Sequence, residues 1–278
     1  MRIDSHQHFW RYTPDEYRWI GDRMSALRRD FLPEDLKPLL EEIGFGGAIA
    51  VQARQSLFET EWLLSLTAEH KYIKGVVGWV DLRSGDVCDQ LARIPGCEAL
   101  VGVRHIVHDE RDDNFMLSSE FRRGIGQLAE LGLAYDLLLF PRHLPVAAKL
   151  ANEFPAQSFV LDHIAKPAIE RGVLEPWRSD LKRLADLPNV SCKLSGLVTE
   201  ASWASWRPDD FRVYLDVIVN AFGIGRLMIG SDWPVCTVSR DYVSTMRLVM
   251  GYFEGFPEDQ CEAVFGGNCA RIYGVDSE

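Results

Sequence analysis

The chain has 278 residues, of which 47% are hydrophobic and 26% charged, values that suit a folded globular protein and exclude disordered or collagen-like chains. Lys and Arg number 30 against 41 Asp and Glu, a formal charge of −11. Such a surface repels phosphate backbones and predicts no nucleic-acid partner.

Short β-rich apolar runs alternate with amphipathic helical patterns along the chain. A strand over 2–8 comes first, then a polar, aromatic insert near 9–32 that holds Trp10, Tyr12, Tyr17 and Trp19. A helix over 33–43 has Pro33 at its start, Glu34 and Asp35 in its first turn and Gly44 past its end. Next come a strand over 47–52, a helix over 57–70, a strand over 73–80, a short helix over 86–94 and a strand over 100–107. A charged loop over 108–114 leads to a helix over 119–131, closed by Gly132. The second half reads as strands over 134–140, 158–163, 190–194 and 226–232. They alternate with helices over 143–154, 177–187, 208–221 and 240–253. A last helix over 257–273 is expected to break near Gly266-Gly267.

Strands separated by helical crossovers predict a parallel sheet, and eight such units in this length fit a (β/α)8 TIM barrel, one α/β domain spanning 1–278. An open doubly wound sheet lacks its glycine fingerprint: Gly44-Phe45-Gly46 has no third glycine and precedes a strand. No apolar run reaches the length of a membrane span, and the opening MRIDSHQHFW has no apolar signal segment. The six cysteines form no CxxC pair. A cytoplasmic protein with reduced thiols and no membrane partner is expected.

Barrel chemistry gathers where strands end. His6 and His8, two apart on the first strand, face one spot, with Asp4 deeper on the same face. Such a pair chelates a metal or handles protons. The sixth strand closes on Asp162-His163, with Lys166-Pro167 in the loop. The eighth closes on Asp232, a candidate base or helix cap, before Trp233-Pro234. The fourth closes on Arg104-His105, and Arg104 can fork onto a carbonyl or carboxylate. Gln52, Trp79 and Ser195 also end strands and suit a hydrogen-bonding wall. Trp10, Trp79, Trp203, Trp206 and Trp233 are candidate faces for a sugar ring.

The segments IDSHQHFW, GVRH, LDHIAKP, GSDWPV and GGNCARIYG, in this order at strand ends, resemble the small sugar-lactonase branch of the amidohydrolase superfamily. The resemblance spans residues 2 to about 274. It implies hydrolysis of a sugar lactone, with L-fuconolactone the first choice. Asp232 would activate water while His163 and Arg104 hold the oxyanion. Gln52, Trp79, His105 and Trp233 would read the hydroxyls. Binuclear members carry a carboxylated lysine on strand four and a histidine on strand five, where this chain has Arg104-His105 and Tyr135-Asp136-Leu137. At most one zinc ion is therefore expected, on His6, His8, His163 and Asp232, and the resemblance implies that it is not strictly required. Two other readings are a zinc-dependent decarboxylase of an unsaturated or aromatic acid and a non-catalytic sugar-binding barrel.

Overall fold

In the computed structural model, which describes residues 1–276, eight parallel strands follow one another in order around a barrel. They are β1 (Ile3–Gln7), β2 (Gly47–Val51), β3 (Ile73–Gly78), β4 (Leu100–His105), β5 (Ala134–Leu137), β6 (Phe159–Leu161), β7 (Val190–Leu194) and β8 (Leu227–Ile229). The crossovers are α1 (Pro33–Glu42), α2 (Leu57–Glu69), α3 (Val87–Ala92), α4 (Ser119–Glu130), α5 (Leu144–Glu153), α6 (Trp177–Ala185) and α7 (Asp209–Phe222). After β8 come α8 (Tyr242–Tyr252), α9 (Glu258–Glu262) and α10 (Asn268–Tyr273). No described helix is long and apolar enough to cross a membrane. The six cysteines are free thiols.

Strands walled by helices are buried on both faces, which is why their sequences are almost continuously apolar. Outward side chains such as Tyr135, Leu137, Phe159 and Leu161 join the helices in one core. Inward ones form a second cluster, where Ile3, Ile49, Val77, Val160 and Met228 meet Cys269, Ala270 and Tyr273 of α10. The C-terminal helix thus contributes its side chains to the packing inside the barrel.

The seam between β8 and β1 is closed by few bonds. Asp232 N donates to His6 O at 2.8 Å, and His8 N to Trp233 O at 2.7 Å. Asp4 completes it: its Oδ1 accepts from Ser231 N at 2.9 Å and from His6 N at 3.1 Å. The β1 register slips between Asp4 and Gln7. Strict alternation would put Asp4 with the two histidines; the slip instead turns its carboxylate to the β8 backbone and Tyr242 of α8.

The eight expected strands all form, but β3, β4, β5, β6 and β8 end two or three residues earlier than the sequence suggests. After Leu161 the chain leaves the extended region: His163, Ile164, Ala165 and Lys166 have φ of 53°, 48°, 63° and 51°. The α-helical pattern of the last helix is interrupted near Gly266-Gly267, but the chain stays helical there. A turn of π-helix over Ala263–Gly267 joins α9 to α10. Gly266 is there for contact: a Cβ at this position would lie 2.2 Å from Met1 O.

A second close contact sets a stability prediction. A Cβ at Gly124 of α4 would lie 2.1 Å from Leu82 O, a backbone atom with nowhere to go. Gly124→Ala therefore gains helix propensity but forces α4 off its neighbour. The expected result is a net loss of about 1–3 kcal/mol, seen as a lower melting temperature. An unchanged or raised melting temperature would show that the helix shifts freely.

Candidate active site

A cavity of about 330 Å³ opens where the strands end, with His8, Arg104, His163 and Asp232 on its lining. His6 lies beneath them, fully buried. Around these the lining adds the charged pair Lys166–Glu200, whose ends are 3.3 Å apart, and the aromatic rings of Trp19, Phe140 and Trp203. Trp203 is held by Arg23, whose guanidinium stacks 4.9 Å from its ring centre. Trp19 and Met24 bring the 9–32 insert to the cavity.

Three donor atoms converge at the cavity floor. His6 Nε2 and His8 Nε2 are 3.2 Å apart, His8 Nε2 is 3.3 Å from Asp232 Oδ1, and His6 Nε2 is 3.8 Å from it. Two ligands on a tetrahedral ion at about 2.0–2.1 Å stand roughly 3.3 Å apart. These residues therefore fit a single divalent ion with open positions left over. His8 Nδ1 lies 2.8 Å from Val51 O, which accepts its proton and aims Nε2 at the cavity. His163 does not join this triad. It groups instead with His6 and Asp162, its ring centre 4.5 Å from that of His6, its Nε2 3.9 Å from Asp232 Oδ1.

Below the triad lies a charged layer inside the barrel. Lys193 of β7 is fully buried, its Nζ 2.5 Å from Asp136 Oδ2, 3.1 Å from Asp162 Oδ1 and 3.2 Å from His6 Nδ1. The Tyr273 hydroxyl reaches Asp136 from α10 at 2.9 Å. Arg104 forks: one nitrogen donates to Asp162 Oδ2 at 2.9 Å and the other to Gln52 O. Two buried cations thus face two carboxylates, Asp136 and Asp162, while Asp232 stands above them among His6, His8 and His163.

This arrangement decides protonation. Burial opposes the charge on Lys193, but Asp136 and Asp162 outweigh it and raise its pKa. Burial likewise pushes Asp162 up, yet Lys193, His6 and Arg104 hold it well below the usual carboxylate range. The same contest leaves Asp232 lowered, with burial beaten by His163, His8 and Lys166. Burial drives His6 and His163 well below the ordinary histidine range, so both rings are neutral. The site is an ionised carboxylate among neutral imidazoles, with a guanidinium at hand.

The left-handed turn over 163–166 aims His163. Four successive non-glycine residues in this region cost about 1 kcal/mol or more each. Lys166 N bonds His163 O at 2.8 Å, and Trp177 Nε1 bonds Ile164 O at 2.7 Å, so the turn is fastened from both sides. His163 Nδ1 meets Ser195 Oγ at 2.9 Å. Gly196, at φ +61°, leaves room for the ring: a Cβ there would sit 2.6 Å from His163 Cγ.

Four residues expected to read substrate lie off the cavity. Gln52 is buried and braces Arg104, donating from Nε2 to Arg104 O at 3.1 Å. Since Arg104 points inward, its neighbour His105 points outward. There His105 stacks on Phe115, bonds Glu110 at 2.7 Å and meets Trp79 Nε1 at 3.4 Å. Trp233 follows the inward Asp232 and packs edge-on against Phe9 and Phe31. Trp10 also joins that core, with Phe31 and Tyr17. Residues not singled out from the sequence include Lys193, Tyr273, His108 and Glu200. A lysine in VSCKL, a strand buried on both faces, was the readable signal for the first.

The amidohydrolase family model matches residues 3–275. A protein named L-fucono-1,5-lactonase from Burkholderia multivorans is 42% identical over 99% of this chain and 96% of its own length. One of the same name from Burkholderia ambifaria is 36% identical over 99% and 96%. Among solved structures, an amidohydrolase from Burkholderia multivorans with bound zinc is 42% identical, with a TM-score of 0.97 over 99% of this chain and 100% of that one.

Proposed function

The chain belongs to the amidohydrolase family, and we propose that it is a sugar lactonase that opens L-fucono-1,5-lactone to the aldonic acid. The observation that carries this reading is the 42% identity to a protein of that name along nearly the whole of both chains. The cavity supports it. It offers an ionised carboxylate for a water, donors for an oxyanion, and both aromatic and charged groups for a hydroxylated ring.

Asp232 accepts a proton from the attacking water as the new C–O bond forms. The carbonyl oxygen takes up the negative charge. Arg104 and His163 lie closest to meet it. If Ser195 donates to His163 Nδ1, the Nε2 proton of that ring faces the cavity and can bond the oxyanion. The tetrahedral intermediate then expels the ring oxygen, and Asp232 returns its proton to that leaving alkoxide. A divalent ion on His6, His8 and Asp232 would add Lewis-acid polarisation of the carbonyl.

Because the oxyanion has protein donors of its own, metal removal is expected to leave most of the activity. The test is a pH-indicator screen of aldonolactones with native and chelator-treated protein, residual zinc being quantified. Turnover of L-fucono-1,5-lactone with kcat/KM within about tenfold of the untreated value is the expected result. No turnover of any lactone would overturn the function. A loss of two decades or more, restored by Zn²⁺, would overturn the metal-independent step.

A further inference from the structure

The contacts below the cavity make two competing claims on the proton of His6, one from Lys193 and one from Asp162. An ammonium has three donors and no acceptor. Lys193 Nζ has three polar neighbours: Asp136 Oδ2 at 2.5 Å, Asp162 Oδ1 at 3.1 Å and His6 Nδ1 at 3.2 Å. It is fully buried, so no bulk water substitutes for any of them. The third donor is satisfied when His6 Nδ1 accepts, which places the ring's proton on Nε2. The next ring agrees. Val51 O can only accept, so His8 carries its proton on Nδ1 and presents a bare Nε2, 3.2 Å from His6 Nε2. The result is a chain of hydrogen bonds running from Lys193 to His6 Nδ1, from His6 Nε2 to His8 Nε2, and from His8 Nδ1 to Val51 O.

An ion needs the other tautomer. His6 Nε2 ligates only as a bare lone pair, so its proton must leave Nε2 and a proton must sit on Nδ1. There Asp162 Oδ1, 3.2 Å away, is the carboxylate oxygen placed to accept it. Arg104, 3.2 Å from Nε2, also finds an acceptor there only in that tautomer. In the switch Lys193 gives up its third acceptor inside the barrel. We propose that Lys193 sets the metal affinity of the His6–His8–Asp232 site: by claiming His6 Nδ1 it holds the ring in the non-ligating tautomer and makes the site bind zinc weakly. Asp162 is the counterweight that receives the Nδ1 proton when an ion is held. The proposal rests on the ion site alone and is independent of which lactone is turned over.

Two measurements test it. In chelator-stripped protein labelled with ¹⁵N-histidine, long-range ¹H–¹⁵N correlation reads each ring's tautomer, with His6 assigned by comparison with His6→Gln. The expected spectrum has a proton-bearing Nε2 and a bare Nδ1 on His6, and addition of Zn²⁺ exchanges the two. A proton on Nδ1 before zinc is added would overturn the proposal. The second measurement is Zn²⁺ affinity by competition with a chromophoric chelator, comparing the native protein with Lys193→Met/Asp136→Asn. The second substitution spares the variant an unpaired carboxylate, and Arg104 stays beside Asp162. The variant is expected to bind Zn²⁺ about tenfold or more tightly, the scale on which groups behind metal ligands act. Equal or weaker binding would show that Lys193 does not restrain His6. The spectrum alone decides the matter if the variant fails to fold.

Discussion

Asp232→Asn is expected to lower kcat on the lactone by about 10²-fold or more, with KM little changed. The pKa of this carboxylate is lowered from its ordinary value, so the native side chain is ionised at neutral pH and ready to take a proton from water. An amide of the same shape cannot do so. Folding should survive, for two reasons. Asp232 has a φ of 57°, a region that Asn tolerates well. The bonds that hold this position, Asp232 N to His6 O across the seam and Cys236 N to Asp232 O in the turn that follows, are made by the backbone. The measurements are steady-state kinetics beside a thermal melt. A variant that melts normally and keeps more than about a tenth of kcat would remove Asp232 from proton transfer.

The residues that carry this prediction differ in how far the sequence announces them. His6, His8, Arg104, His163 and Asp232 stand where apolar runs stop, and barrel geometry brings strand ends to one mouth. Their convergence was therefore legible. The conformations behind it were not. Four left-handed residues over 163–166 carry no glycine to announce them, so the sixth strand reads two residues too long. Alternation along a strand separates Arg104 from His105, but only once the inward residue is known; reading the two together sends His105 and Trp79 to the wrong side. Asp4 goes astray for the opposite reason, since a register slip breaks alternation inside β1. Asp136 looks like an ordinary strand residue until the barrel closes and places it 2.5 Å from Lys193, the one lysine whose apolar strand sets it apart.

Arg104 is the site cation whose removal is expected to affect both catalysis and stability. Its guanidinium joins Asp162 to the Gln52 carbonyl while lining the cavity. Arg104→Met keeps an unbranched apolar stem but removes every donor. Asp162 then loses one of its two cationic partners and retains only Lys193. Breaking a buried pair from one side costs about 3 kcal/mol or more, so urea unfolding should shift clearly. The oxyanion also loses a donor, which predicts a further fall of about 10²–10³-fold in kcat/KM for molecules that remain folded. Arg104→Lys separates the two roles. A lysine restores charge beside Asp162 and should recover part of the stability. A single ammonium on a flexible stem cannot hold Asp162, bond the Gln52 carbonyl and face the cavity at once. Its kcat/KM should therefore stay at least about tenfold below the native value. Native kcat/KM in Arg104→Lys would show that charge alone suffices. Native kcat/KM in both variants would leave the oxyanion to His163 and confine Arg104 to holding the barrel interior together.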